Sequence, residues 1–271
     1  MKSDEVITSP QNPRIKAVAR LRDHRTHDAR DQIVIDGRRE LARALEAGVA
    51  IGEIFYCPAL LGADDSQALL EPAQERGARL VEVNEAVFAK LSYGDRAEGA
   101  VAVAQRPARK LADLRLSRTA LLAVVEGIEK PGNLGAILRS ADGAGVEAVI
   151  AADPVTDIYG ANVIRSSLGT AFSVPLVEAT TAETIEWLDE HRLSIVAASP
   201  VGKTPYTDVA MAGPTALVLG SEADGLTPAW SKAGVIQAAV PMLGKADSLN
   251  VSITAALFFY EALRQRRAGK Q

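Results

Sequence analysis

The sequence predicts an α/β protein in which a mostly parallel sheet, covered by helices on both faces, follows a small α/β N-terminal domain. Helix and strand patterns alternate along most of the 271 residues, an order typical of α/β folds. The strand patterns after residue 115 are nearly continuous apolar runs, as expected for parallel strands buried on both faces. The basic segment QRPARKLADLRLSR, residues 105–118, separates the two series. Its proline and polar composition indicate a domain boundary.

We therefore expect a first domain at 1–106, a linker at 107–114 and a second domain at 115–271. In the first domain the helix patterns are PRIKAVARLR, RELARALEAG, QALLEPAQERG and NEAVFAKLS. The strand patterns between them are QIVIDG, IGEIFYC, RLVEV and GAVAVA. About a hundred residues with this alternation are sufficient for an independent α/β unit.

In the second domain the strand patterns are ALLAVV, EAVIAA, LSIVAAS, TALVLG and IQAAVPM. Helices are predicted at 133–144, about 158–168, 181–192, about 227–233 and 251–267. In the first of these, four apolar residues recur at helical spacing and predict one buried stripe: Leu134, Ile137, Leu138 and Ala141. Arg139 lies just outside that stripe, so it can project from the edge of the sheet while the helix stays packed.

Composition limits the function classes. Hydrophobic residues make up 48% of the chain, charged residues 24%, and the formal net charge is −4, so the overall charge does not indicate a nucleic-acid partner. Residues 14–39 nevertheless contain eight basic and four acidic residues, and the tail RQRRAGK is basic. Local basic faces can bind phosphates, although a solvated helix face accounts for the charge equally well.

The single cysteine, Cys57, excludes an intrachain disulfide and a cysteine metal cluster, and it predicts a reducing, cytoplasmic setting. The first ten residues lack the apolar segment of a signal peptide, and no apolar run reaches membrane-spanning length. His24, His27 and His191 are the only histidines. We interpret the first two as surface residues and expect no metal.

Polar, glycine-bearing segments follow three of the predicted strands: EKPGNLGAI after ALLAVV, GSEADG after TALVL, and PMLGKADSLN after IQAAV. Local roles are available to each, with Asn133 as a helix cap, Asp224-Gly225 as a turn, and Ser248 or Asn250 as a second cap. Carboxyl ends of parallel strands lie at one edge of a sheet, however, and ligands bind there. We therefore predict one pocket, suited to a ligand with an adenine, a ribose and a small zwitterion. The glycine spacing is not that of a dinucleotide loop, which argues against a nucleotide-dependent oxidoreductase.

Together these segments resemble the motifs of the SpoU/TrmH family of RNA ribose 2′-O-methyltransferases, in the SPOUT superfamily. The similar stretches are EKPGNLGAILRSADGAG, IRSSLGTAFSVPL, LVLGSEADGL and VPMLGKADSLNVSITAALFFYEA, within about residues 115–267. One departure is Ala223, where the family more often has glycine. The stretches ITSPQNPRIKAVARLR and IVIDGRRELARALEAG resemble the RNA substrate-binding domain often attached to this family, with Asp36 where glutamate is commoner.

The resemblance implies a C-terminal deep trefoil knot and a homodimer whose interface completes both active sites. It also implies methyl transfer from S-adenosylmethionine to a ribose 2′-hydroxyl of structured RNA. Ribosomal RNA of the large subunit is favoured, because the N-terminal domain resembles the rRNA-modifying branch. Methylation of tRNA, thiostrepton-type resistance methylation of rRNA, and a non-catalytic RNA-binding role are the alternatives.

By position, the essential arginine of the family falls on Arg139, and the other predicted catalytic positions are Asn133, Glu222, Ser248 and Asn250. The implied cofactor contacts are Gly220, Val240 and Leu249, with their neighbours Leu219 and Met242. The predicted RNA-binding residues are Arg14, Lys16, Arg38 and Arg165. The family assigns activation of the hydroxyl to the arginine. Because a guanidinium keeps its proton in proteins, stabilisation of a developing alkoxide and contact with a phosphate form the other interpretation.

Overall fold

The computed structural model describes residues 5–23, 31–93, 97–232 and 234–268. It divides into two compact units, of which unit 1 comprises Met1–Pro107 and Tyr159–Ser173, and unit 2 comprises Ala108–Ile158 and Val174–Gln271. His24 and His27 lie outside the described residues. Within the described ranges no helix is long and apolar enough to cross a membrane.

The elements alternate as follows along the chain. The strands are β1 (Glu5–Ile7), β2 (Gln32–Asp36), β3 (Ile51–Tyr56), β4 (Arg79–Val83), β5 (Ala100–Gln105), β6 (Leu121–Glu126), β7 (Ala148–Ala152), β8 (Leu176–Ala179), β9 (Ser194–Ala198), β10 (Thr204–Pro205), β11 (Thr215–Leu219) and β12 (Val235–Ala239). The helices are α1 (Pro13–Asp23), α2 (Arg38–Glu46), α3 (Ala63–Glu75), α4 (Glu85–Leu91), α5 (Pro131–Ala144), α6 (Ala161–Ser166), α7 (Thr170–Ser173), α8 (Thr181–Glu190) and α9 (Val251–Ala268).

Unit 1 contains a mixed five-stranded sheet in the order β1-β4-β3-β5-β2. β5 is antiparallel to both β3 and β2, whereas β1, β4 and β3 are mutually parallel. Its core joins alternate strand residues such as Phe55 and Val81 to helix residues such as Ile15 and Phe88.

The segment Tyr159–Ser173 belongs to unit 1, although the sequence-based boundaries assigned it to the second domain. Its helix α6 packs on β2, and α7 packs on α2. Arg43 donates a hydrogen bond to the Leu168 carbonyl at 2.7 Å. A Cβ at Gly169 would lie 2.9 Å from the Glu40 Cα, so only glycine permits this close approach. These contacts join residues more than a hundred positions apart. The local periodicity of apolar residues does not reveal contacts of this kind.

Unit 2 contains a parallel seven-stranded sheet in the order β10-β12-β9-β11-β6-β7-β8. Every residue of β6, β7 and β11 is buried, so helices cover both faces of the central strands, as predicted. Trp187 and Leu188 of α8 pack on one face together with Trp230. Helix α9 packs on α5 and β11. The predicted stripe on α5 is confirmed, because its four residues are all fully buried.

Three strands were not predicted from the sequence: β1, β8 and β10. Each lies at or near a sheet edge and is four residues or shorter, and such segments become strands only because a neighbouring strand pairs with them. The predicted helix near 227–233 is a short 3-10 turn, Pro228–Ser231. The predicted linker is partly packed, since Leu114 is buried in the core of unit 2.

Arg266, in the basic C-terminal tail, has a structural role. Its guanidinium donates hydrogen bonds to four backbone carbonyls, those of Met211, Thr119, Ala120 and Gly213. Partial burial lowers the pKa of the guanidinium. The side chain thereby joins the last turn of α9 to the segments that precede β6 and β11, so it is not free to bind phosphates.

Replacing Arg266 by glutamine should lower the free energy of unfolding by about 2 to 4 kcal/mol, because several carbonyls lose their donor. Arg267→Gln is the matched control, since it makes the same charge change at an exposed position of the same helix and should change stability by less than about 0.5 kcal/mol. Chemical denaturation of both variants measures the difference. Equal losses would show that the carbonyl contacts of Arg266 contribute nothing.

Candidate active site

The three polar segments predicted to converge do so in unit 2. β6, β11 and β12 run parallel in one sheet, so their carboxyl ends, at Glu126, Leu219 and Ala239, lie at the same edge. β9 lies between β11 and β12, and β11 is the neighbour of β6. The segments after these strands form the candidate site.

A chain of side-chain hydrogen bonds links the three segments. The Asn250 amide nitrogen donates to the Asn133 Oδ1 at 3.2 Å. The Asn133 Nδ2 in turn donates to the Glu222 Oε1. Asn133 therefore uses both ends of its amide, and the chain of donors ends on a carboxylate. Because α5 begins at Pro131, Asn133 lies inside the helix, and its interpretation as a helix cap is wrong.

The alternative roles of Ser248 and Asn250 are also resolved. Asn250 precedes α9, and its Oδ1 accepts hydrogen bonds from the Ser252 amide at 2.9 Å and the Ser252 hydroxyl at 2.7 Å. Asn250 is thus the residue that caps α9, while its Nδ2 remains available to Asn133. Ser248 is exposed, and among the described residues its side chain has no hydrogen-bond partner.

The segment after β11 is a tight loop that requires glycine. Ser221 and Gly225 exchange backbone hydrogen bonds at 3.0 and 3.2 Å. A Cβ at Gly220 would lie 2.2 Å from the Gly225 carbonyl carbon, so the loop closes only over a residue without a side chain. Glu222 sits within this loop. Its second oxygen, Oε2, is buried and has no partner among the described residues.

Arg139 is exposed on α5, and within the described part of the chain its guanidinium has no hydrogen-bond or ion-pair partner. Among the predicted cofactor contacts, Val240 and Leu249 are partly exposed and Met242 is 36% exposed. Leu219 is only 1% exposed as the last residue of β11, so its side chain belongs to the core.

Glu126 was not identified from the sequence. It is 3% exposed at the end of β6. Its Oε1 accepts hydrogen bonds from the Thr181 and Thr227 hydroxyls, and its Oε2 accepts one from the Thr227 amide, all at 2.8 Å. The sequence contained one signal for it, since Glu126 is an acidic residue that directly follows the apolar run LLAVV. A charged residue there needs partners once the strand is buried.

Three of the four predicted RNA-binding residues are paired with carboxylates in unit 1. Arg14 contacts Glu5 at 2.5 Å and Glu53 at 2.7 Å. Arg38 contacts Asp65 and also lies 3.9 Å from Glu98. These pairings reduce the charge that both arginines offer to a phosphate.

Arg165 lies 3.4 Å from the buried Asp36, donates to the Tyr93 carbonyl and lies over the Tyr93 ring. Lys16 differs from the three arginines. It is exposed, and in the described ranges its ammonium group has no acidic partner.

Burial raises the pKa of Asp36 to about 6, against the opposing effects of the Tyr93 amide and of Arg165. The carboxyl accepts a hydrogen bond from that amide at 2.5 Å. Burial likewise raises the pKa of Glu40.

The described residues contain no group of three or more histidine, cysteine, aspartate or glutamate side chains that could hold a metal ion.

Comparison with known proteins decides the family. Residues 120–260 match the SpoU rRNA Methylase family, more than half of the chain. The chain belongs to this family. Residues 12–102 also match the MRM3-like substrate binding domain, the part of unit 1 in which the N-terminal resemblance was found.

Individual relatives of this SpoU-family chain cover nearly all of it. The 23S rRNA (guanosine-2'-O-)-methyltransferase RlmB of Bordetella pertussis is 34% identical over 247 residues, which span 88% of this chain and 99% of that protein. A crystal structure of an RNA 2'-O ribose methyltransferase is 43% identical, with a TM-score of 0.83 over 97% of this chain and 99% of that chain. The AdoMet-bound rRNA methyltransferase from Sinorhizobium meliloti is 26% identical, with a TM-score of 0.87 over 96% and 97%.

The raised pKa of Asp36 predicts a pH dependence of stability. Between its unfolded value of 3.8 and about 6, the folded state binds more protons than the unfolded state, so stability falls as pH rises through this window. Asp36→Asn stays neutral and should gain about 2 kcal/mol relative to the wild type between pH 4 and pH 7. Urea unfolding at several pH values measures this. Asp31→Asn, at an exposed position, is the control, and a pH-independent difference between Asp36→Asn and wild type would contradict the prediction.

Proposed function

We propose that this SpoU-family protein transfers a methyl group from S-adenosylmethionine to a ribose 2′-hydroxyl of ribosomal RNA of the large subunit. The observation that carries the proposal is the hydrogen-bond chain Asn250-Asn133-Glu222, because it unites the three motif segments at one sheet edge. The relatives support the substrate, since they include a 23S rRNA 2′-O-methyltransferase that aligns with 88% of this chain over 99% of its own length. A ribosomal substrate agrees with the cytoplasmic location expected from the sequence.

The loops at this edge fit S-adenosylmethionine. The Gly220 loop brings backbone groups close together with no side chain between them, and Val240, Met242 and Leu249 offer partly exposed apolar surface. The unpartnered Oε2 of Glu222 is a buried acceptor that an ammonium or hydroxyl group of a ligand can satisfy. The AdoMet-bound relative from Sinorhizobium meliloti supports the same cofactor here. When bound, the cofactor supplies an activated methyl group, for which no metal is needed.

The residues of the chain must then hold the ribose and stabilise the charge that develops on its oxygen. Arg139 is an exposed cation of the first motif, and no carboxylate of the described residues forms an ion pair with it. Its guanidinium can bind a phosphate of the RNA and stabilise the developing alkoxide. Asn133 and Asn250 hold Glu222 in place through directional hydrogen bonds, so the site is organised before the substrate binds.

Arg139→Ala should reduce methyl transfer by at least about a hundredfold, the effect of losing one electrostatic contact with a developing oxyanion. Folding and cofactor binding should stay nearly unchanged, because Arg139 lies outside the buried stripe of α5. Transfer of labelled methyl to rRNA and calorimetric titration of the cofactor measure the two effects. Arg118→Ala, at an exposed arginine preceding β6, is the control.

A rate near that of wild type for Arg139→Ala would remove this arginine from the mechanism.

The function itself is tested by mapping 2′-O-methyl positions in RNA from cells with and without the gene. Loss of one large-subunit site supports the proposal, whereas loss of a tRNA site would identify the alternative substrate. Cofactor binding without any lost methylation site would identify the non-catalytic RNA-binding role.

We further propose that unit 1 recruits the RNA, which the match of residues 12–102 to a substrate binding domain supports. Lys16 is its best predicted contact, because its ammonium group is exposed and has no acidic partner within the described ranges. Arg14, Arg38 and Arg165 are weaker candidates, because each is paired with a carboxylate.

A trefoil knot is also proposed for unit 2. Its support is that β12 lies beyond β9 and β11 in the sheet order, whereas the helix that follows it, α9, packs on α5 and β11.

A homodimer through α9 completes the proposal. One side of α9 is buried within the unit, through residues such as Ala255, Phe258 and Phe259. The other side forms an open groove of about 440 Å³ together with Tyr206. Ile253 and Tyr260, in this groove, are 52% and 51% exposed. An exposed apolar groove of this kind fits a second copy of the helix.

The dimer should bury at least about 2,000 Å² in total, as obligate interfaces do, and light scattering at micromolar concentration should give twice the chain mass. Ile253→Glu places a charge in the groove and should produce a monomer. Arg267→Glu, on the same helix outside the groove, should remain dimeric. An active wild-type monomer would mean that each site is complete within one chain.

A further inference from the structure

The buried carboxylate of Glu126 has no place in the proposed mechanism, yet it contacts the loop that carries Glu222. We infer that Glu126 is a positioning residue. Through Thr227 it holds the Gly220–Thr227 loop closed, and so keeps the Glu222 carboxylate against Asn133. This inference rests on the proposed function for its consequence, but the hydrogen bonds that carry it belong to the chain alone.

The loop is held at both of its ends. At its start, Gly220 is packed against the Gly225 and Leu226 backbone so closely that a Cβ does not fit, and Ser221 and Gly225 are bridged. At its end, Thr227 donates both its amide and its hydroxyl to Glu126, each at 2.8 Å. Glu222, between the two ends, therefore has a fixed backbone from which to reach Asn133.

The third donor to Glu126 comes from a different element. The Thr181 hydroxyl, at the first residue of α8, donates to the Oε1 at 2.8 Å. One carboxylate thus holds a loop of the site on one side and a helix of the scaffold on the other. Because Glu126 is almost fully buried, each of the two threonines satisfies part of a charge that water cannot reach.

The two hydroxyl donors provide a matched pair of variants. Thr227→Val and Thr181→Val each remove one hydroxyl donor from the same carboxylate while keeping the shape of the side chain. If Glu126 only stabilised the fold, both variants would lower the melting temperature and neither would affect the loop selectively. If it positions the site, only Thr227→Val should loosen the loop, which then keeps the Thr227 amide as its one donor to Glu126.

Two measurements on the full chain separate these cases. Hydrogen exchange without cofactor should show faster exchange of the Ser221 and Gly225 amides in Thr227→Val than in Thr181→Val. Calorimetric titration with S-adenosylmethionine should show roughly tenfold weaker binding for Thr227→Val, the effect of one lost hydrogen bond to a charged group. Thr227→Ser, which keeps the hydroxyl, should restore both values.

Unchanged exchange in Thr227→Val, or equal changes in the two valine variants, would overturn the inference. If the wild type itself did not bind S-adenosylmethionine, the proposed function would fail. The exchange comparison would then still decide whether Glu126 holds the loop.

Discussion

A buried carboxylate at the end of the central strand β6 determines how the candidate site is built. Ionised groups removed from water need several donors, and Glu126 obtains them from the loop after β11 and from the start of α8. Satisfying one charge therefore joins three segments that are far apart in the sequence. The loop that returns to Glu126 is the one that brings Glu222 to Asn133, so the polar site and the sheet edge form one hydrogen-bonded structure.

Five arginines of the described chain fall into two groups. Arg14, Arg38, Arg165 and Arg266 have partners within their own units, either carboxylates or backbone carbonyls. Arg139 is exposed and, in the described part of the chain, unpaired. A planar guanidinium with several donors suits both uses, so residue type alone does not separate a structural arginine from a functional one. Here the difference depends on whether an acceptor lies within reach in the folded chain.

Helix α9 has two roles in the proposed function. Its N-terminus must carry Asn250 at the candidate site, and its length must be covered by apolar contacts. The unit itself covers one side, through residues such as Phe258 and Phe259, and leaves Ile253 and Tyr260 half exposed. A second copy that covers the groove would stabilise the helix next to the site, which links assembly to the proposed activity.

The sequence by itself determined most of the secondary structure, because the periodicity of apolar residues is local. Four helices and four strands of the first predicted domain and the buried stripe of α5 follow from it. The sequence also predicted that the glycine-bearing polar segments meet at one sheet edge, since parallel strands bring their carboxyl ends together.

Tertiary structure alone decided which polar groups meet. The partner of Asn133 is Glu222, 89 positions later, and the donors to Glu126 are 55 and 101 positions away. Residues 159–173 also pack in unit 1 with residues far away in the sequence, and Arg165 pairs with Asp36, 129 positions earlier. Hydrogen bonds of this kind depend on directions and distances that exist only once the sheet has formed. A pattern of residue types can therefore mark such groups as polar but does not assign their partners.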